Sequence, residues 1–178
     1  VGVQSTFITI PIQGTLTYIS AGNAWLMRDN SGSRRPLTLT GDLDGRVFEL
    51  SSDGEWLLFT RNTIPPDLRT GETPTSFNRL YAISTLNPEA QPINLEIDNV
   101  LWAGWSPTEP RTLAYTTGQP SSVPPGWQAN NELLIMNFEA NGRLNDPEII
   151  LPADEGGRFG SYGTYFVWAP NGELLGYS

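Results

Sequence analysis

The residues best suited to chemistry in this chain are carboxylates set beside aromatic or polar neighbours. Ser51-Ser52-Asp53-Gly54-Glu55-Trp56 places two acidic groups in a tight polar turn next to an indole, an arrangement a general acid or base could use. Asp42-Leu43-Asp44-Gly45 offers the oxygen donors calcium favours, but it lacks the longer acidic run and terminal Glu that complete a calcium loop. Asp154-Glu155 is a pair adjacent in sequence, and adjacent residues of a strand point to opposite faces, so a converging pair of glycosidase type does not follow from it. Gly156-Gly157 lacks the strand-to-helix setting of a phosphate loop. The expectation is therefore no catalytic residue, no metal and no cofactor in these residues.

Composition narrows the chemistry further. The chain has no Cys and no His, and all ten basic residues are Arg. A thiolate nucleophile, a Cys-ligated zinc, a Ser-His-Asp triad and an imidazole base are excluded within it. A net charge of −9 opposes phosphate binding, because nucleic-acid affinity rests on clustered cations. No apolar run is long enough to span a membrane as a helix, so membrane insertion is not expected. The absence of Cys points to an extracytoplasmic setting, periplasmic or secreted.

The elements that would position such groups are short strands. With 178 residues, 38% of them hydrophobic, 18 Gly, 15 Pro and six Trp, the chain has material for a core built from strands and many turns. The Ser51–Thr60 stretch, a polar turn feeding an apolar strand, recurs as Trp168–Ser178. It recurs again, with two extra residues in the turn, as Trp105–Thr116. A degenerate copy at 10–20 aligns Gly14 with Gly54 and Ile19 with Phe59. Both Trp56/Leu58 and Leu57/Phe59 are apolar, which predicts a strand buried on both faces between stacked sheets. After each such hairpin comes a second one, and Met27, Ile83 and Met136 recur in its first strand. Two hairpins in series make a four-stranded propeller blade.

On these turns the units resemble the WD40-like repeat of TolB-type β-propellers. A Trp-Ser-Pro-Asp-Gly type turn is matched by Leu50–Gly54, by Trp105–Pro107 and by Trp168–Gly172, and a later segment is matched best by Met27–Thr40. The resemblance implies an all-β chain of four-stranded antiparallel blades. Three full blades are expected at 7–40, 47–95 and 101–151, with the inner hairpin of a fourth at 164–178, in one domain that is part of a larger propeller.

Asp53 is replaced in every other copy while the strand after it is kept, so the opening motif reads as a blade hinge. The long insertions Asn62–Asn78 and Gly118–Asn131 both join the second and third strands of a blade and share the opposite face. They lack strand patterning and read as adaptable loops. With the inter-blade loop 153–163 they present Arg69, Glu72, Trp127, Asn130, Arg158 and Tyr162 as ligand contacts. The function expected is a non-catalytic protein- or peptide-binding module, not an enzyme. The alternatives are an accessory propeller of a larger, prolyl-oligopeptidase-like hydrolase and a carbohydrate-binding propeller. A protein or peptide partner, a carbohydrate, and self-association through open blade edges are the partners expected.

Overall fold

A computed structural model of the chain describes residues 14–28, 33–63, 75–139, 141, 143–153, 163–173 and 175–177. The fold is all-β, and its strands form four antiparallel sheets in chain order. The first sheet holds β1 (Thr15–Ser20), β2 (Asn23–Arg28) and β3 (Arg34–Pro36). The second has β4 (Leu43–Leu50), β5 (Trp56–Asn62), β6 (Asn78–Ser84) and β7 (Ile93–Asp98). The third runs β8 (Val100–Trp105), β9 (Thr112–Pro120), β11 (Leu133–Asn137), β12 (Glu148–Leu151), and β10 (Trp127–Ala129) pairs with the far end of β9. The fourth is the hairpin β13 (Phe166–Trp168) and β14 (Leu175–Tyr177). The second and third sheets are thus four-stranded blades in meander order. The first blade's innermost strand, expected at Phe7–Ile10, lies outside the described residues.

Strand pairing confirms the repeat residue by residue. Leu50 faces Leu57, Trp105 faces Leu113 and Trp168 faces Leu175 across the three hinge turns. At the first hinge Asp53 Oδ1 accepts the Glu55 N–H at 2.9 Å and Ser51 Oγ accepts the Trp56 N–H at 3.0 Å, so the acidic motif caps its own turn. Between β1 and β2 the two-residue turn Ala21-Gly22 has φ of 50° and 68°, the left-handed pair that matches strand twist. Gly22 is required there twice over, since a Cβ would lie 2.4 Å from the Gly41 carbonyl oxygen.

Two expectations about segments need adjusting. The outer strand of the first sheet, expected from the sequence at Pro36–Leu39, is Arg34–Pro36 and ends there because the Leu37 and Thr38 N–H groups both turn back onto the Ala24 carbonyl. The insertion after Gly118 is not wholly loop: β9 continues through it to Pro120 and pairs with β10, Gln128 opposite Gln119. Its Pro-rich tip hides two short strands of ordinary ladder.

Burial follows the alternation of side chains along each strand. Residues Trp56 to Thr60 are all buried. Leu57 and Phe59 join Ala24, Leu26 and Ile83 in the seam between the first and second sheets. Trp56 and Leu58 face the other way, with Leu80, Leu113, Met136 and Phe138, between the second and third. Ala114, Leu133 and Phe166 fill the seam to the fourth. The second blade is a two-sided layer, which is why β5 reads as a continuous apolar run.

Polar bonds cross the same seams. Asn78 gives Nδ2–H to the Val100 carbonyl and to Asp44 Oδ2, each at 3.0 Å, and its Oδ1 accepts the Val100 N–H at 2.8 Å. On the inner strands the Trp105 indole donates to the Glu49 carbonyl at 3.2 Å, and one blade later the Trp168 indole donates to the Gly104 carbonyl at 3.3 Å. Both tryptophans occupy the same repeat position, so their N–H groups stitch the third sheet to the second and the fourth to the third, while the second sheet has Leu50 at that position.

The Glu49 carboxylate accepts the Trp105 backbone N–H at 3.1 Å. Burial pushes its carboxyl above the usual range, and that N–H opposes the shift. A raised folded value means that the native state holds the proton more tightly than the unfolded chain. The stability this contributes is complete below the ordinary carboxylate range and is lost as pH rises through the raised value. Glu49→Gln, which keeps an acceptor for Trp105, is therefore expected to melt above the parent near about pH 7, the gap closing toward about pH 4. Thermal melts across that range check it; a gap that widens on acidification contradicts it.

Candidate functional site

The ladder between β9 and β11 sets Tyr115 opposite Leu134. Two residues further along, Thr117 meets Glu132, at the mouth of the seam between the second and third sheets. Here β7 and the start of β11 border a cleft of about 490 Å³. Ile97, Leu134 and Ile149 give it apolar walls, and Glu96, Asp98, Tyr115, Asn130 and Glu132 line it with polar groups.

Glu132 is its centre. Only 7% of the residue is exposed. Oε1 accepts the Thr117 N–H at 2.8 Å and the Thr117 hydroxyl at 2.5 Å, while Asn130 Nδ2 donates to that hydroxyl oxygen at 2.9 Å. Oε2 is buried and has no hydrogen-bond partner among the described residues. A buried carboxylate oxygen without a donor is costly, so this half of the group is poised for a water or ligand hydrogen. Tyr115, 5% exposed, is pushed up to about 12 by burial and then by the negative charge of Glu132. Its phenol stays protonated through the neutral range and can donate. At the rim Asp98 receives Arg79 through Nε at 2.5 Å and a terminal NH2 at 2.9 Å. Glu96 is exposed, with its N–H held by Asn94 Oδ1. With Asp98 paired to Arg79, Glu96 and Glu132 leave the cleft negative, which favours neutral or cationic ligands over anions.

Comparison within the chain sharpens the site. The residue of the second sheet equivalent to Glu132 is Arg79, which pairs with Arg61 in register. The core positions around it are kept as Leu80 and Leu133, Ile83 and Met136. The scaffold repeats while this edge position changes its charge, which is how a site is grafted onto a blade.

The expected contact residues separate. Asn130 belongs to the cleft and orients Thr117. Trp127, on β10, packs instead under the Arg46 guanidinium, 4.3 Å from its ring centroid, and beside Phe77 at 6.0 Å. Arg69, Glu72, Arg158 and Tyr162 lie outside the described residues, as does Asp154-Glu155. Asp42 is bound by Arg61 and Thr40, and Asp44 by Thr60 and Asn78, so both carboxylates serve the fold. Glu132 was not anticipated. The signal available was a lone carboxylate at the head of the apolar run Leu133-Leu134-Ile135-Met136.

Fold and site define an all-β, propeller-type stack of blades with an acidic cleft between two of them. No family model matches the chain, and no curated protein matches it. Among solved structures, one from Bacteroides fragilis NCTC 9343, provisionally described as a 6-phosphogluconolactonase, is similar at a TM-score of 0.47 and 11% identity. The similarity covers 93% of this chain and 43% of that one, so this chain spans less than half of that structure's length. The expectation of a non-catalytic protein- or peptide-binding module is corrected here, because the protein it resembles is described as an enzyme. That likeness assigns no role to any residue. The cleft itself shifts attention from the tips of the insertions to a buried carboxylate at their base.

Proposed function

We propose that the chain carries a small-molecule site of hydrolase type, with Glu132 as the proton-accepting group for an attacking water. The observation that supports this is the half-tied carboxylate: Oε1 is fixed by two donors from Thr117, leaving Oε2 oriented and, among the described residues, without a donor of its own. A base held in this way loses little freedom when it takes up a proton. Tyr115 supplies a phenolic donor in the same cleft, and Asn130 keeps Thr117 facing the carboxylate. The acidic rim selects uncharged or cationic substrates and disfavours phosphorylated ones. For the family, the TolB-type reading is part of the same proposal. It is supported by the hinge turns Trp105-Ser106-Pro107 and Trp168-Ala169-Pro170-Asn171-Gly172.

The test is a panel of neutral esters, lactones and amides, with Glu132→Gln as the control. Gln keeps an oxygen for the Thr117 donors and removes the base. Turnover by the parent that falls at least about a hundredfold in kcat, with KM little changed, is the expected result. Turnover unchanged in Glu132→Gln, or absent across the panel, refutes the assignment.

A further inference from the structure

A second recess, of about 400 Å³, lies away from the Glu132 cleft where the inner strands β4, β8 and β13 run side by side. Glu49, Gly104 and Val167 hold the same repeat position on the three strands, so one carboxylate, one bare backbone and one aliphatic side chain follow one another across the recess. Trp102, Trp105, Tyr165 and Trp168 line it. Gly104 lets the carboxylate in: a Cβ there would lie 3.2 Å from Glu49 Oε2 and 3.0 Å from the Trp102 ring. The Trp105 and Trp168 indole N–H groups donate to the backbone of the preceding blade; Trp105 is 3% exposed and packs toward Phe138, so the aromatic side chains open to the recess are the half-buried Trp102 and Trp168 and the exposed Tyr165.

We propose that this recess binds a small quaternary ammonium cation, with the aromatic faces as its cage and Glu49 as its counter-charge. Indole rings attract cations through their negative faces, most strongly where water is excluded. Among the described residues no arginine lines the recess, so none of them matches the carboxylate there. Several of its polar groups are already engaged: Ser106 Oγ accepts the Thr108 and Glu109 N–H groups, and the Glu49 and Gly104 carbonyls accept indole N–H groups. A carboxylate beside aromatic rings suits a methylated ammonium, which needs no hydrogen-bond partner of its own. Tyr165 and Val167, 62% and 53% exposed, form an open lip through which such a ligand enters. The charge of −9 steers cations toward the chain.

The experiment is titration of the chain with tetramethylammonium chloride, followed by tryptophan fluorescence and calorimetry, with sodium chloride at matched ionic strength as the control. The expected result is a saturable change, absent with sodium, whose dissociation constant rises about tenfold or more in Glu49→Gln and in Tyr165→Ala. Melting curves establish that both variants are folded, and Tyr165 stands at the lip rather than in the core. No saturation, equal affinity in both folded variants, or preferential saturation by methyl glucoside in place of the cation would each overturn the proposal.

Discussion

Asn78→Asp will destabilise the chain more than Asn78→Ala, although aspartate is the closer in shape. Alanine removes three hydrogen bonds at once and strands the Val100 N–H and C=O in a fully buried seam, at a cost of about 2–4 kcal/mol. Aspartate restores the acceptor for the Val100 N–H. It also places a buried carboxylate against the Val100 carbonyl and the Asp44 Oδ2, positions that Asn78 Nδ2 now reaches at 3.0 Å. Unpaired buried charge beside like charge is penalised more heavily than a missing bond. Urea denaturation of the two variants checks the order, and an aspartate variant equal to or more stable than the alanine one would refute the seam as described. Against the total stability of an ordinary domain, about 5–15 kcal/mol, either change is large.

Phe138→Ala is expected to cost about 3–5 kcal/mol, the range for emptying a core aromatic site. The ring is 1% exposed and meets Trp56 edge to face at a centroid distance of 4.6 Å and Trp105 at 6.4 Å. These two tryptophans come from the second and third sheets, so the cavity would open inside a seam rather than within one blade. Neighbouring Trp56 is held by its backbone pairing and cannot collapse far into the gap. The loss should therefore appear near the upper end of that range in a denaturant titration, and a loss below about 1 kcal/mol would show that the seam repacks freely. Phe138→Leu, filling part of the volume, should recover a substantial share.

Much of the scaffold could be read from residue order alone. The hinge around Asp53 was identified because its acid changes between copies while Trp56–Phe59 and its counterparts stay apolar, and two-sided burial of that strand follows directly from consecutive large apolar residues. Glu132 escaped the same reasoning. A Glu before an apolar strand ordinarily marks a solvated strand end, and its burial depends on β7, contributed by residues far back along the chain. Arg46 and Trp127 illustrate a related limit: their stacking joins a strand end to a distant hairpin, and no local pattern announces it. The β9 extension was hidden by its Pro-rich tip, since proline masks the ladder that Gln119 and Gln128 still make.

The indole stitches have a consequence for assembly. In each of them the later blade gives the proton and the earlier blade receives it, so the contact has a front and a back. Blades joined in this way add in one direction only, like subunits of a polar filament. An inverted blade would leave an indole without its acceptor, so these bonds fix the sense in which one blade follows the next.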